Sequence, residues 1–183
     1  MTEVANIYPA DIQKHLLHPK NRGDVAACRQ IADRVCRGQI AESYIRHTFN
    51  SLKGGFVYKQ EGVGIIAFCC WKVKSSMSIQ GKETGELYVY LVCGLPMPFS
   101  VLDMMLYDLD RYCYQRGIQY ITLEPANEGL RSYYKQKGFS PTYMPQRMAK
   151  EVATPVVFHS PRRASTQRRT TTAQLPRLEE NSI

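Results

Sequence analysis

Apolar residues follow a helical spacing near the start of the chain and a strand-like one from residue 56 onward. Between 24 and 38, Val25, Cys28, Ile31, Ala32 and Val35 lie on one stripe, with Asp24 placed as a cap and Gly38 as a stop. Between 40 and 55, Tyr44, Ile45, Thr48, Phe49 and Leu52 repeat that spacing until Gly54-Gly55. FVYKQ (56–60) and IIAFCCWKVK (65–74), joined by EGVG, predict an antiparallel hairpin of β-branched and aromatic residues. SSMSIQGKETG (75–85) reads as a polar loop. ELYVYLVCG (86–94) is an unbroken apolar run, the pattern of a central strand covered on both faces. Leu102, Met105, Leu106, Leu109 and Tyr112 form the stripe of a helix over 100–117, capped by Ser100 and closed by Gly117. IQYITLEPA (118–126) predicts a strand closed by Pro125, and a helix then runs from its cap Asn127 to Gly138. Residues 139–152 read as a proline-interrupted edge strand.

The order is helix, helix, hairpin, strand, helix, strand, helix, strand. A strand–helix–strand unit in the middle implies a right-handed crossover and parallel neighbours inside a mixed sheet. The expected class is therefore α/β, with a central mixed sheet and helices on both faces. Residues 24–157 form the expected domain, 1–23 an N-terminal extension, and 158–183 an extended C-terminal tail.

Composition narrows the function classes. The 183 residues are 44% hydrophobic with 12 tyrosines, enough for a core. No apolar run approaches the ~18 residues of a membrane span. The N-terminus lacks the pattern of a secretory leader. The six cysteines form no C-x-x-C pair, so free, buried thiols in a reducing, cytoplasmic setting are expected, and no metal site. The net charge of +8 favours anionic partners. The segment from Ser160 to Ile183 holds five arginines and two glutamates. It has the composition of a tail without a core of its own, suited to docking on an acidic partner in an assembly. Its arginines lack the interleaved aromatics that suit nucleic acid. Arg162 and Arg163 before Ser165 also have the form of a basophilic phosphorylation site.

The stretch QYITLEPANEGLRSYYKQKGF, a strand, an Asn, then a helix ending Y-x-x-x-G-F, resembles the GCN5-related N-acetyltransferase (GNAT) superfamily over roughly residues 24–150. Its L-x-P-A-N-x-x-L-x-x-Y-Y wording is also similar to GNAT-like proteins of large DNA viruses. The resemblance implies acetyl-CoA as cofactor and an amine as acceptor. It implies a central strand that splays from its parallel neighbour, with the backbone near Leu91, Val92 and Cys93 holding the thioester arm. Tyr134 matches the family's general acid, Asn127 a cofactor contact, and Glu86 a base acting through water. Tyr133, on another face, reads as packing or surface.

One part of the family pattern is missing. The pyrophosphate loop normally carries a basic or Gln residue and glycines whose amides approach the phosphates. Here the corresponding stretch is GLPMPFSVL, and Ser100, Val101 and Leu102 occupy the loop's final positions. It has no basic residue, and two prolines remove amide donors. The helix terminus is worth ~1–2 kcal/mol toward an anion, and each charge-assisted amide bond about 1.5–3 kcal/mol more. Two functions are compatible with this pattern. One is an acetyl-CoA-dependent N-acetyltransferase with a compromised cofactor loop. The other is a non-catalytic GNAT-fold protein docking through its tail in a large assembly, for example as a minor capsid protein in a virion.

Overall fold

The computed structural model describes residues 9–77 and 83–152, so the tail and its docking and phosphorylation readings lie outside the described residues. The elements are β1 (Ile12–Leu16), α1 (Arg22–Ile31), a π-helical turn (Ala32–Cys36), α2 (Glu42–Asn50), β2 (Gly54–Gln60), β3 (Gly64–Met77) and β4 (Glu83–Gly94). Then come α3 (Val101–Gln115), β5 (Tyr120–Leu123), α4 (Glu128–Gln136), β6 (Ser140–Pro141) and β7 (Met148–Glu151). Seven strands form one sheet in the order β1-β2-β3-β4-β5-β7-β6. The unbroken apolar run of β4 explains its central place, since both its faces are covered. β4 and β5 are parallel, joined by the α3 crossover, and the other pairs are antiparallel. This is the mixed α/β architecture that the sequence predicts.

Each sheet face has its own core. Met104, Met105 and Leu109 of α3 and Tyr134 of α4 pack on one face against Leu87, Val89 and Phe56. Cys28 and Ile31 of α1 and Ile45 and Phe49 of α2 pack on the other against Val57, Phe68 and Leu91. β4 changes which residues face which core partway along. Cys70 of β3 lies opposite Leu91 while Trp71 lies opposite Val89, which leaves Tyr90 as a bulge residue. Such a bulge bends the strand and re-aims the side chains beyond it.

Several expectations need correction. Residues 12–16, assigned to an N-terminal extension, form the edge strand β1; of these five residues only Ile12 is buried, so no apolar alternation announces it. The described parts of the predicted loop over 75–85 are strand, because β3 runs to Met77 and β4 begins at Glu83. The edge strand predicted over 139–152 is two pieces: β7 lies against β5 and the short β6 takes the edge. The cysteines are not all free: Cys36 and Cys93 form a disulfide, while Cys28, Cys69, Cys70 and Cys113 are buried thiols. The pair is 57 residues apart in sequence, and only the packing of the π-turn on the end of β4 brings the two together.

Asp108 of α3 is 2% exposed and accepts from the Tyr58 hydroxyl (2.9 Å) and the Lys14 ammonium (3.0 Å). Burial pushes its carboxyl up to about 7, outweighing the nearby Arg111, and burial also lowers Lys14. The unfolded carboxyl titrates near ~3.9. The folded protein therefore keeps a proton that the unfolded chain releases, and stability falls as pH rises from about 4 toward 7. Denaturant titrations should show ~2 kcal/mol less stability at pH 7 than at pH 5, a difference that Asp108→Asn removes. The same slope in the variant would assign the effect elsewhere.

Candidate active site

The ladder between β4 and β5 runs only from Glu86–Tyr120 to Val89–Leu123. β5 then stops, Pro125 offers no amide, and the chain leaves for α4, while β4 continues to Gly94. Residues 90–94 consequently have no partner on the β5 side, and a notch opens through the sheet. On one side is a cleft of about 360 Å³ whose wall includes Val92, Cys93, Ser100, Val101, Leu102 and Tyr134. A throat of about 80 Å³ lies in the notch, against Tyr90, Leu91, Val92, Glu124 and Tyr134. On the other side is a recess of about 450 Å³ that includes Tyr44, Tyr88 and Tyr90. Tyr134 and Val92 line both cleft and throat, and Tyr90 lines both throat and recess, so the throat adjoins the other two volumes.

No protein-family model and no curated protein sequence matches the chain. Solved structures do. A chain of the NatC complex bound to Gag peptide and CoA is 12% identical with a TM-score of 0.59, covering 78% of this chain and 99% of that one. The ribosomal-protein-S18-alanine N-acetyltransferase from Escherichia coli is 16% identical, TM-score 0.55, covering 78% and 95%. The GNAT family N-acetyltransferase YhbS from Escherichia coli, in complex with CoA, is 11% identical, TM-score 0.57, covering 80% and 84%. The fold is the GNAT fold. At these identities the likeness is one of architecture, and residue roles rest on this chain's own geometry.

Within this GNAT fold the residues singled out from sequence fall in different places. Tyr134 is 5% exposed, and its ring packs edge-on against Phe139 and Tyr133, each 5.4 Å between centroids. Gly138, at φ +92°, supplies the left-handed turn that folds Phe139 back under it. Burial pushes the Tyr134 hydroxyl up to about 12, so it keeps its proton at neutral pH. The neighbouring Tyr133 is tied down rather than merely packed: its hydroxyl donates to Asp103 at 2.5 Å. Val92 and Cys93 line the cleft, and Leu91 turns its side chain into the α1–α2 core. Asn127 caps α4, accepting from the Leu130 amide at 2.9 Å. Glu86 lies at the opposite end of the β4–β5 ladder, accepting from Thr122 at 2.6 Å, and four residues, about 13 Å of strand, separate it from Tyr90.

The start of α3 faces the cleft with little left for an anion. Ser100 Oγ accepts from the Asp103 amide at 3.2 Å, and Asp103 puts its own carboxylate in the first turn. Lys137, 2.7 Å away, and Tyr133 hold that carboxyl below the usual range. A negative charge there uses the favourable terminal potential that a phosphate would otherwise meet.

Sequence reasoning missed three contributors. Glu124, the first residue beyond β5, lines the throat opposite Tyr90 and pairs with Arg147 at 3.1 Å. Tyr44 donates to the bulge carbonyl of Tyr90 at 2.8 Å. Lys53, before β2, and Lys72 and Lys74 of β3 converge on the recess from two places in the chain. Each sits in a stretch whose local pattern reads only as helix end, strand or loop, and no motif marks them.

Proposed function

We propose that this protein is an acetyl-CoA-dependent N-acetyltransferase that holds its cofactor chiefly by the notch rather than by a phosphate loop. The observation that carries this reading is the divergence of β4 from β5 beyond Val89 and Leu123, with Tyr134 reaching both the cleft and the throat. The cleft suits a thin arm pairing with the backbone of Leu91, Val92 and Cys93; the first turn at Ser100, Val101 and Leu102 suits phosphates poorly. Acetyl-CoA, when bound, supplies an acyl thioester. Tyr134 holds a hydroxyl proton available to a departing thiolate, and an attacking amine is a better nucleophile once a base has its proton. Glu124, in the throat, is better placed for that proton than Glu86. Asn127 acts first as a helix cap, fixing where α4 presents Tyr134.

A second reading, a GNAT-fold scaffold without catalysis, is favoured by the 94–100 segment, which lacks any basic residue, and by the carboxylate of Asp103. One calorimetric titration separates them. Acetyl-CoA should bind with a Kd weaker than about 100 µM, as few phosphate contacts remain. No heat and no thermal stabilisation at several-millimolar acetyl-CoA would leave only the scaffold.

A further inference from the structure

The recess beside α2 carries an unusual charge arrangement. Lys72 and Lys74, two apart on β3, point to the same face and stand 5.7 and 4.7 Å from the centroid of the Tyr88 ring. Arg147 stands 4.5 Å from the same ring, and Lys53 and His47 complete the lining. No carboxylate lines this recess among the described residues. The nearest acids are engaged at its margins: Glu124 with Arg147, and Glu86, opposite Lys74 in register, with Thr122. Among the described residues Lys53, Lys72 and Lys74 form no ion pair.

We propose that this recess binds a phosphate monoester, and that the acetyl acceptor carries one beside its amine. The second half rests on the transferase reading; the first half does not. Like charges gathered in a partly enclosed site oppose folding, and an anion relieves that opposition. Burial, Lys72 and Arg147 lower Lys74 against the opposing pull of Glu86 and Glu124, consistent with that crowding. Lysine ammoniums bind phosphate as compact point charges, and the Arg147 guanidinium in the same recess matches phosphate oxygens in pairs. Thr48 adds a hydroxyl on the same wall, while Ser51 donates its own to the His47 carbonyl at 2.7 Å. A volume of about 450 Å³ is that of a small-molecule site rather than a polymer track. Tyr90 lines both recess and throat, and Arg147 of the recess pairs with Glu124 of the throat, so an amine on the same ligand would lie toward Glu124.

Calorimetry on the full chain tests this without acetyl-CoA. Inorganic phosphate and O-phosphoethanolamine should bind, whereas acetate and ethanolamine should not. Adenosine monophosphate in parallel distinguishes a nucleotide source from an alkyl phosphate, and binding of either supports the site. Lys72→Met/Lys74→Met should weaken phosphate binding at least about tenfold, the loss of one or two charge-assisted contacts, and leave acetyl-CoA affinity unchanged. Lys53→Met provides a second variant if the pair misfolds, with circular dichroism as the check. Unchanged phosphate affinity in both variants, or binding of a single-stranded oligonucleotide with no binding of the monoesters, would overturn the site. Phosphate binding without acetylation of O-phosphoethanolamine or 3-aminopropyl phosphate, in protein that acetylates other amines, would overturn the acceptor half alone.

Discussion

Tyr134→Phe is expected to lower the rate of acetyl transfer by roughly 10²–10⁴, the range for losing a positioned general acid, and to leave acetyl-CoA affinity within about twofold. The ring, packed against Phe139 and Tyr133, is unchanged by the substitution, so the cleft keeps its wall. Only the hydroxyl is lost. Because burial pushes that hydroxyl up to about 12, its deprotonation lies above the range of an ordinary assay, and the wild-type rate should show no loss from this group between pH 7 and 9. Tyr133→Phe makes the contrasting case. It breaks the bond to Asp103 and should cost about 1 kcal/mol of stability, with a far smaller effect on turnover. Turnover in Tyr134→Phe above half of wild type would remove this residue from the chemistry.

Gly55→Ala should destabilise the protein by about 3 kcal/mol, measured as a shift in denaturant midpoint at constant slope. Gly55 is buried in β2, and a Cβ there would lie 2.2 Å from the Cys69 carbonyl oxygen on β3 and 3.3 Å from Leu17 Cβ. The first obstacle is backbone, with no rotamer to move aside, so two strands in the middle of the sheet must part. The Gly55 carbonyl also accepts from the Leu17 amide at 2.8 Å, which couples the shift to the chain leaving β1. Gly54→Ala is the milder case: its Cβ would meet the Trp71 indole at 3.2 Å, a ring held between Phe56 and Tyr112 but needing to give only a few tenths of an ångström, and a cost of about 1 kcal/mol is expected. Equal costs at the two positions would mean that strand entropy, not close approach, governs both.

What could be read from the chain depended on whether the physics was local. β4 was legible because an unbroken apolar run has one common use in a mixed sheet, and α3 and α4 because a stripe, a cap and a terminal glycine coincide. Tyr134 was singled out by its spacing to Gly138 and Phe139, and it lines the cleft packed on Phe139. β1 was hidden because an edge strand exposes most of its residues and needs only Ile12 inside. The bulge at Tyr90 depends on the register against Cys70 and Trp71, which no single strand encodes. Cys36 and Cys93, like Glu124 and the three lysines of the recess, meet only once separate elements have packed. The charge total was visible from composition, but its concentration beside Tyr88 was not.

The notch between β4 and β5 is bordered by two hollows with different walls, one at the start of α3 and one beside α2. Donor and recipient of a transferred group need not share a doorway, so neither has to depart before the other arrives. Under the transferase reading both can be aboard together. For such a layout a transferase has no need to carry the cargo on its own side chains.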